Sequence, residues 1–110
     1  MTVRRYIVQR LTAALMIPLV LGHLIIIHYA TSRGLTAAEI LGRTRGSMLA
    51  LLFYGLFVIL AAAHAAVGAR TLLAEWTPLR GQLLDIAMWV VGFALAALGA
   101  RAVAAVVLPW

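Results

Sequence analysis

The sequence predicts an all-α integral membrane protein with three transmembrane helices. Hydrophobic residues make up 65% of the 110 residues, charged residues make up 11%, and the mean hydropathy is +1.08. Globular domains are about 45–50% apolar and about 25% charged, and a chain this short leaves much of its surface exposed. The composition therefore excludes a soluble enzyme, a soluble nucleic-acid-binding domain and a disordered tail, and it makes lipid the solvent of this chain.

Three apolar runs supply the spans, at residues 11–29, 48–69 and 83–108. The first two lack formal charges, and only Asp85 and Arg101 interrupt the third. At 1.5 Å per residue the runs measure about 28, 33 and 39 Å, against a hydrocarbon core of about 30 Å. Lipid offers no partners to backbone groups, so each run must be helical. The first run is longer than the apolar part of a signal peptide, so we interpret it as a span. We expect one domain over residues 1–110.

The segments between the runs are predicted to be loops at the two membrane surfaces. In residues 30–47, Thr36 followed by Glu39 forms a capping box that predicts a short interfacial helix. In residues 70–82, the segment Glu75-Trp76-Thr77-Pro78 predicts a turn at the lipid headgroups. On the third span, small side chains at four-residue spacing predict close helix packing; they belong to Gly92, Ala96 and Ala100.

The charge pattern predicts a multi-pass orientation with the N-terminus in the cytoplasm. All nine basic residues are arginine, the net charge is +6, and the arginines flank the apolar runs, which marks membrane interfaces and not a nucleic-acid partner. The N-terminal side would carry Arg4, Arg5, Arg10, Arg70 and Arg80, and the other side Arg33, Arg43, Arg45 and Arg101. Cysteine is absent from the sequence, so any metal must be held by histidine or carboxylate.

Three histidines lie inside the predicted spans, where an ionisable side chain is a functional candidate. His64 lies about 9 Å from the interface at Arg70, whereas His23 and His28 lie about 20 and 27 Å from the same side, so separate sites are expected. A bis-histidine haem b fits this arrangement, because it takes one imidazole from each of two helices. The alternative is a hydrogen bond between helices. Gly68, one turn from His64, leaves room for a macrocycle or for a close neighbouring helix.

Three short motifs carry a resemblance to a known family. They are Gln9-Arg10-Leu11-Thr12-Ala13 at the first span, His64 with Gly68 late in the second, and Glu75-Trp76 after it. In this order and spacing, the chain resembles the small cytochrome b membrane-anchor subunit of succinate:quinone oxidoreductase and, more loosely, the anchors of fumarate reductase. The match covers nearly the whole chain.

The resemblance implies that this chain is half of a two-subunit helical anchor bundle in a bacterial inner membrane. Its partners would be a second three-helix subunit, an iron–sulfur subunit and a flavoprotein subunit, and electrons from succinate would reach a quinone beside the haem. Catalysis on succinate would belong to those partners. His64 falls on the position of a haem axial ligand. Charge from Arg10 and Arg70 would balance the haem propionates, and the quinone would meet Arg10, Glu75 and Trp76. The family usually has aspartate and tyrosine where Glu75 and Trp76 stand.

Several alternatives stay open from the sequence. Some relatives carry two haems, for which His28, or alternatively His23, would supply a ligand. Asp85 is expected to pair with Arg80. The alternative interpretation is that Asp85 relays a proton to reduced quinone. The rival functions are a fumarate reductase anchor, a subunit of a small proton-coupled transporter and a haem-free assembly protein.

Overall fold

A computed structural model describes residues 2–108, and within this range the chain forms four helices. They are α1 (Val3–Arg33), α2 (Ala37–Thr44), α3 (Met48–Trp76) and α4 (Gln82–Val107). Among them, α1, α3 and α4 are long and apolar enough to span a membrane, while α2 has only two turns. The prediction of an all-helical chain with three candidate spans is confirmed. Residues 1, 109 and 110 of the predicted domain lie outside the described range.

Helices α1 and α3 extend beyond the apolar runs that predicted them, whereas α4 matches its run to within one residue at each end. Helix α1 begins at Val3, about two turns before Leu11, and α3 continues through Trp76. The predicted loop at residues 70–76 is therefore wrong, and the connection to α4 is confined to residues 77–81. The apolar run measures the length that suits lipid. The helix goes on past it because arginine, leucine, alanine and glutamate are all good helix formers.

Side chains cap the first three helices. Thr2, Thr36 and Ser47 each accept a hydrogen bond from the backbone N–H three residues further on. At α2 the Thr36 hydroxyl also donates to Glu39 Oε1 at 2.7 Å, which confirms the short helix that the capping box predicts. Helix α4 instead follows Gly81, whose φ of 69° is a left-handed conformation that suits glycine.

Helix α3 lies in the middle, with α1 and α4 on opposite sides of it. Phe53 and His64 face α1, whereas Val58 and Ala66 face α4. At about 100° per residue, the two pairs lie roughly half a turn apart around α3. We call the end formed by the start of α1, the end of α3 and the start of α4 the Asp85 end, and the opposite end the α2 end.

Two glycines of α4 allow its close contact with α3. A Cβ atom at Gly92 would lie 3.2 Å from the Ala66 Cβ atom, and one at Gly99 would overlap the Val58 side chain. The close packing predicted for Gly92 is confirmed. Ala96 and Ala100 line a groove between α3 and α4, and the second close contact belongs to Gly99, the neighbour of Ala100.

Helix α2 and the turn after it cover the last carbonyl groups of α4. The Thr44 hydroxyl donates to the Val106 carbonyl at 2.6 Å, and the Gly46 N–H donates to the Val107 carbonyl at 2.6 Å. The final carbonyls of a helix have no partner within it, so these two bonds satisfy groups that would otherwise need water. They fix α2 against the end of the bundle.

Candidate functional site at His64

His64 meets a polar partner on α1 instead of purely aliphatic neighbours. Its Nδ1 atom lies 3.2 Å from Thr12 Oγ1, and Thr12 Oγ1 lies 2.7 Å from the Val8 carbonyl and 3.1 Å from the Gln9 carbonyl. A hydroxyl has one hydrogen, and the distance from Thr12 Oγ1 to the Val8 carbonyl is the shortest of the three, which favours donation along α1 and acceptance from His64. In that arrangement His64 would carry its hydrogen on Nδ1 and a lone pair on Nε2.

The surroundings of His64 hold that ring in a partly covered interface between α1 and α3. Thr12 is only 6% exposed, and His64 itself is half-buried. One turn along α3, the Gln9 amide packs against Gly68, where a Cβ atom would lie 3.1 Å from Gln9 Nε2. The space at Gly68 is therefore occupied by the neighbouring helix α1 and not left open for a macrocycle. Gln9 Oε1 is buried without a hydrogen-bond partner in residues 2–108.

An ion-pair cluster lies about two turns from His64, at the Asp85 end. Asp85 Oδ1 accepts from Arg70 Nε at 2.7 Å and from Arg5 Nη1 at 3.3 Å. The predicted pair of Asp85 with Arg80 is wrong, because the Arg80 guanidinium donates instead to the carbonyls of Thr77 and Leu79 in its own turn. Asp85 thus joins the start of α4 to both of the other long helices.

We expect Asp85→Asn to lower the stability of the chain by about 1–2 kcal/mol. The substitution leaves two arginines facing a neutral amide, and the effect falls below the 3–5 kcal/mol of a fully buried pair because 46% of the Asp85 side chain is exposed. The measurement is thermal unfolding of the purified protein in detergent, followed by circular dichroism. Glu75→Gln is the control, because Glu75 is exposed and forms no ion pair within residues 2–108. Equal midpoints for both variants would contradict the role of this cluster.

The other two histidines lie away from His64, as the depth argument predicts. His23 lies eleven residues beyond Thr12 on α1, about 16 Å along the axis. Its ring meets Phe57 and Tyr54 edge to face, with centroids 5.4 and 6.1 Å away. His28 is exposed, and its backbone carbonyl accepts from the Thr31 hydroxyl. Neither histidine shares a site with His64 within this chain.

The remaining predicted site residues are not brought to His64 within this chain. Arg10 lies about 160° around α1 from Thr12, on the side away from α3, and its Nε donates to the Tyr6 hydroxyl at 3.2 Å. Trp76 is 79% exposed at the last residue of α3, about 18 Å along the axis from His64. Glu75 is exposed beside it, and Arg70 already binds Asp85. The quinone and propionate roles stay predictions.

The donor set near His64 suits a group that needs one ligand from this chain. Residues 2–108 contain no cluster of three or more histidine, cysteine, aspartate or glutamate side chains. A ligating histidine usually donates its second ring N–H to an acceptor, which fixes the ring and raises its basicity. The contact between His64 Nδ1 and Thr12 Oγ1 allows this arrangement, so His64 fits the role of a single metal ligand.

The sequence predicts no role for three polar residues that contact His64, Gly68 or Asp85 in the structure. From the sequence, Thr12 and Gln9 are members of the first motif, and Arg5 is an interfacial charge. A signal for the first two exists, because two polar side chains three residues apart share one helix face. No local signal relates Arg5 to Asp85, since the pair is 80 residues apart.

Comparison with known proteins identifies no relative. No protein-family model matches the chain, and no curated protein and no solved structure matches it either. The function proposed for the chain therefore rests on its own residues.

Proposed function

We propose that this chain is the small membrane-anchor subunit of a succinate:quinone oxidoreductase, and that His64 is one axial ligand of a haem b shared with a partner subunit. The observation that carries the proposal is the 3.2 Å contact between His64 Nδ1 and Thr12 Oγ1. With the hydrogen on Nδ1, the Nε2 lone pair would be available to iron, since neutral imidazole nitrogen is the form that binds a metal. The motifs at Gln9-Arg10-Leu11-Thr12-Ala13 and at His64 with Gly68 add to this, because Thr12 and Gln9 of the first contact His64 and Gly68 of the second.

The roles of the individual residues follow from their positions. His64 would hold the iron and Thr12 would orient its ring. Arg70 and Arg10 would supply positive charge toward the propionates, and Arg10, Glu75 and Trp76 would meet the quinone at the membrane surface. When bound, a haem b takes up and returns single electrons. A second haem would take its ligand from His28, whose ring is exposed, or from His23.

One feature supports a second helical subunit. Between α1 and α4, a groove of about 420 Å³ runs along α3, with Ala62 and Ala66 at its floor and Trp89 at its edge. Small floor residues admit a neighbouring helix closely. An iron–sulfur and a flavoprotein subunit would dock at the Asp85 end.

The structure offers less to the rival functions. A proton-coupled transporter uses acids in mid-membrane, whereas Asp85 lies in the first turn of α4 and is paired with two arginines. A fumarate reductase anchor of the same family would use the same residues, and the direction of turnover depends on the partner subunits and the quinone.

Purification of the full chain with its native partners tests the proposal. A tagged chain should bring down a flavoprotein and an iron–sulfur protein, reduce a quinone with succinate, and show a b-type difference spectrum on reduction. The haem-to-flavin ratio then separates one haem from two. A complex with neither haem nor flavin would overturn the proposal.

We expect Thr12→Val to weaken haem retention about 10–100-fold. Valine keeps the shape of the threonine side chain but removes the hydroxyl that contacts the His64 ring. Haem loss to an apo-haem acceptor protein, followed by absorbance, measures this. Thr71→Val is the matched control, since the Thr71 hydroxyl bonds only its own helix, at the Val67 carbonyl. Thr12→Ser should restore retention. Similar loss rates for both valine variants would assign Thr12 to packing alone.

A further inference from the structure

A cavity of about 590 Å³ opens at the α2 end, between α1, α2 and the start of α3. Most of its wall is aliphatic or aromatic, with Ile26, Ile27, Ala50 and Phe53 among the lining residues. Arg43 also lines it, and the Arg43 Nη2 group donates to the Gly34 carbonyl at 2.7 Å, which fixes this side chain beside the cavity. The site therefore combines an apolar interior with a positive charge.

A second arginine adds to the charge at this cavity. The guanidinium carbons of Arg33 and Arg43 lie 5.5 and 5.9 Å from the centre of the Tyr29 ring, and Tyr29 lines the cavity too. Both guanidinium groups therefore lie within about 12 Å of each other. Neither forms an ion pair within residues 2–108, where the two ion pairs lie at the Asp85 end. The Glu39 carboxylate lies beside Gly34 and accepts from its own N-cap residue, and it is not within ion-pair distance of either arginine.

We propose that this cavity binds an anionic phospholipid, with an acyl chain along the aliphatic wall and the phosphate at Arg33 and Arg43. Arginine binds phosphate strongly because its planar N–H groups match the phosphate oxygens. Arginine and tyrosine at the end of an apolar helix mark the headgroup level, where a phosphate lies directly above the acyl region. A neutral lipid would fill the cavity but leave both guanidinium groups without an ion-pair partner. This inference does not depend on haem or quinone.

The test measures lipid binding to the full chain, purified with any subunits that accompany it. The protein is exchanged into mixed micelles with phosphatidylglycerol or phosphatidylcholine, and bound lipid is counted by native mass spectrometry. We expect a preference for phosphatidylglycerol that falls about fivefold in Arg33→Gln and about thirtyfold in Arg33→Gln/Arg43→Gln. Arg33→Gln keeps the Arg43–Gly34 bond, so it separates lost charge from a disturbed loop. Arg45→Gln, at the exposed end of α2, is the matched control and should bind like wild type.

Two further arms identify the occupant. Ala50→Phe should reduce binding of both lipids at least tenfold, because it fills the acyl part of the cavity, and millimolar glycerol phosphate should not displace phosphatidylglycerol. Equal binding of the two lipids, equal loss in Arg45→Gln and Arg33→Gln, or full displacement by glycerol phosphate would overturn the proposal. So would a stable homodimer that occupies this face and binds no lipid.

Discussion

His64→Ala should remove the b-type difference spectrum of the haem at His64, which is the whole spectrum with one haem and half of it with two, while leaving the chain in the membrane. An axial imidazole cannot be replaced by a methyl group, and this chain has no second histidine near the site, since His23 and His28 lie well along α1 from Thr12. The fold should survive, because the variant loses one hydrogen bond worth about 1 kcal/mol. Absorbance per protein, with circular dichroism of the same sample, measures both effects.

His28→Ala and His23→Ala are the matched controls for this experiment. Each removes an imidazole from α1 without touching the bond between His64 and Thr12. If one haem is present, both should keep the full spectrum. If two are present, one of them should lose half of it. A full spectrum in His64→Ala would end the assignment, and it would leave His64 as a hydrogen-bonding group between helices.

Gly99→Leu should destabilise the chain by about 3 kcal/mol relative to a matched variant at Gly55. A side chain at Gly99 would overlap Val58, and both residues lie on long helices that cannot shift locally. Overpacking of this kind costs about 1–3 kcal/mol or more, while leucine gains up to about 1 kcal/mol over glycine in helix propensity. The measurement is the free energy of unfolding in detergent, followed by circular dichroism.

Gly55→Leu isolates the packing effect. Within residues 2–108, no side-chain atom and no atom of another helix lies within 4 Å of a Cβ built at Gly55, which lines a groove of about 340 Å³ between α3 and α4. Leucine there gains helix propensity and has room in the groove. Its stability should match or slightly exceed that of wild type. If Gly99→Leu were as stable as Gly55→Leu, the close approach of α3 and α4 at Gly99 would not hold the two helices together.

The fold was predictable from the sequence because lipid imposes few choices. Long apolar runs must be helical in lipid, and the Thr36–Glu39 capping box is a local pattern, so both predictions needed no tertiary information. The length of α3 was underestimated for a related reason. Hydropathy predicts which part of a helix suits lipid, not where the helix ends. Helix α3 continues past Ala69 through residues that include polar but helix-forming ones.

The site was predictable only in part, because its contacts cross between helices. His64 was identified from its place in a span, but its partner Thr12 is 52 residues away. Asp85 was paired with Arg80, the arginine nearest in sequence after the second span, whereas packing places Arg70 and Arg5 beside it. Sequence proximity is a poor guide where three helix ends meet.

The bonds from Thr44 and Gly46 to the end of α4 bear on how the chain is made. A ribosome completes Thr44 62 positions before Val106, whose carbonyl it binds. The groups of Thr44 and Gly46 that donate to the end of α4 therefore exist before α4 is synthesised. The third span can end against a part of the chain that the ribosome has already completed.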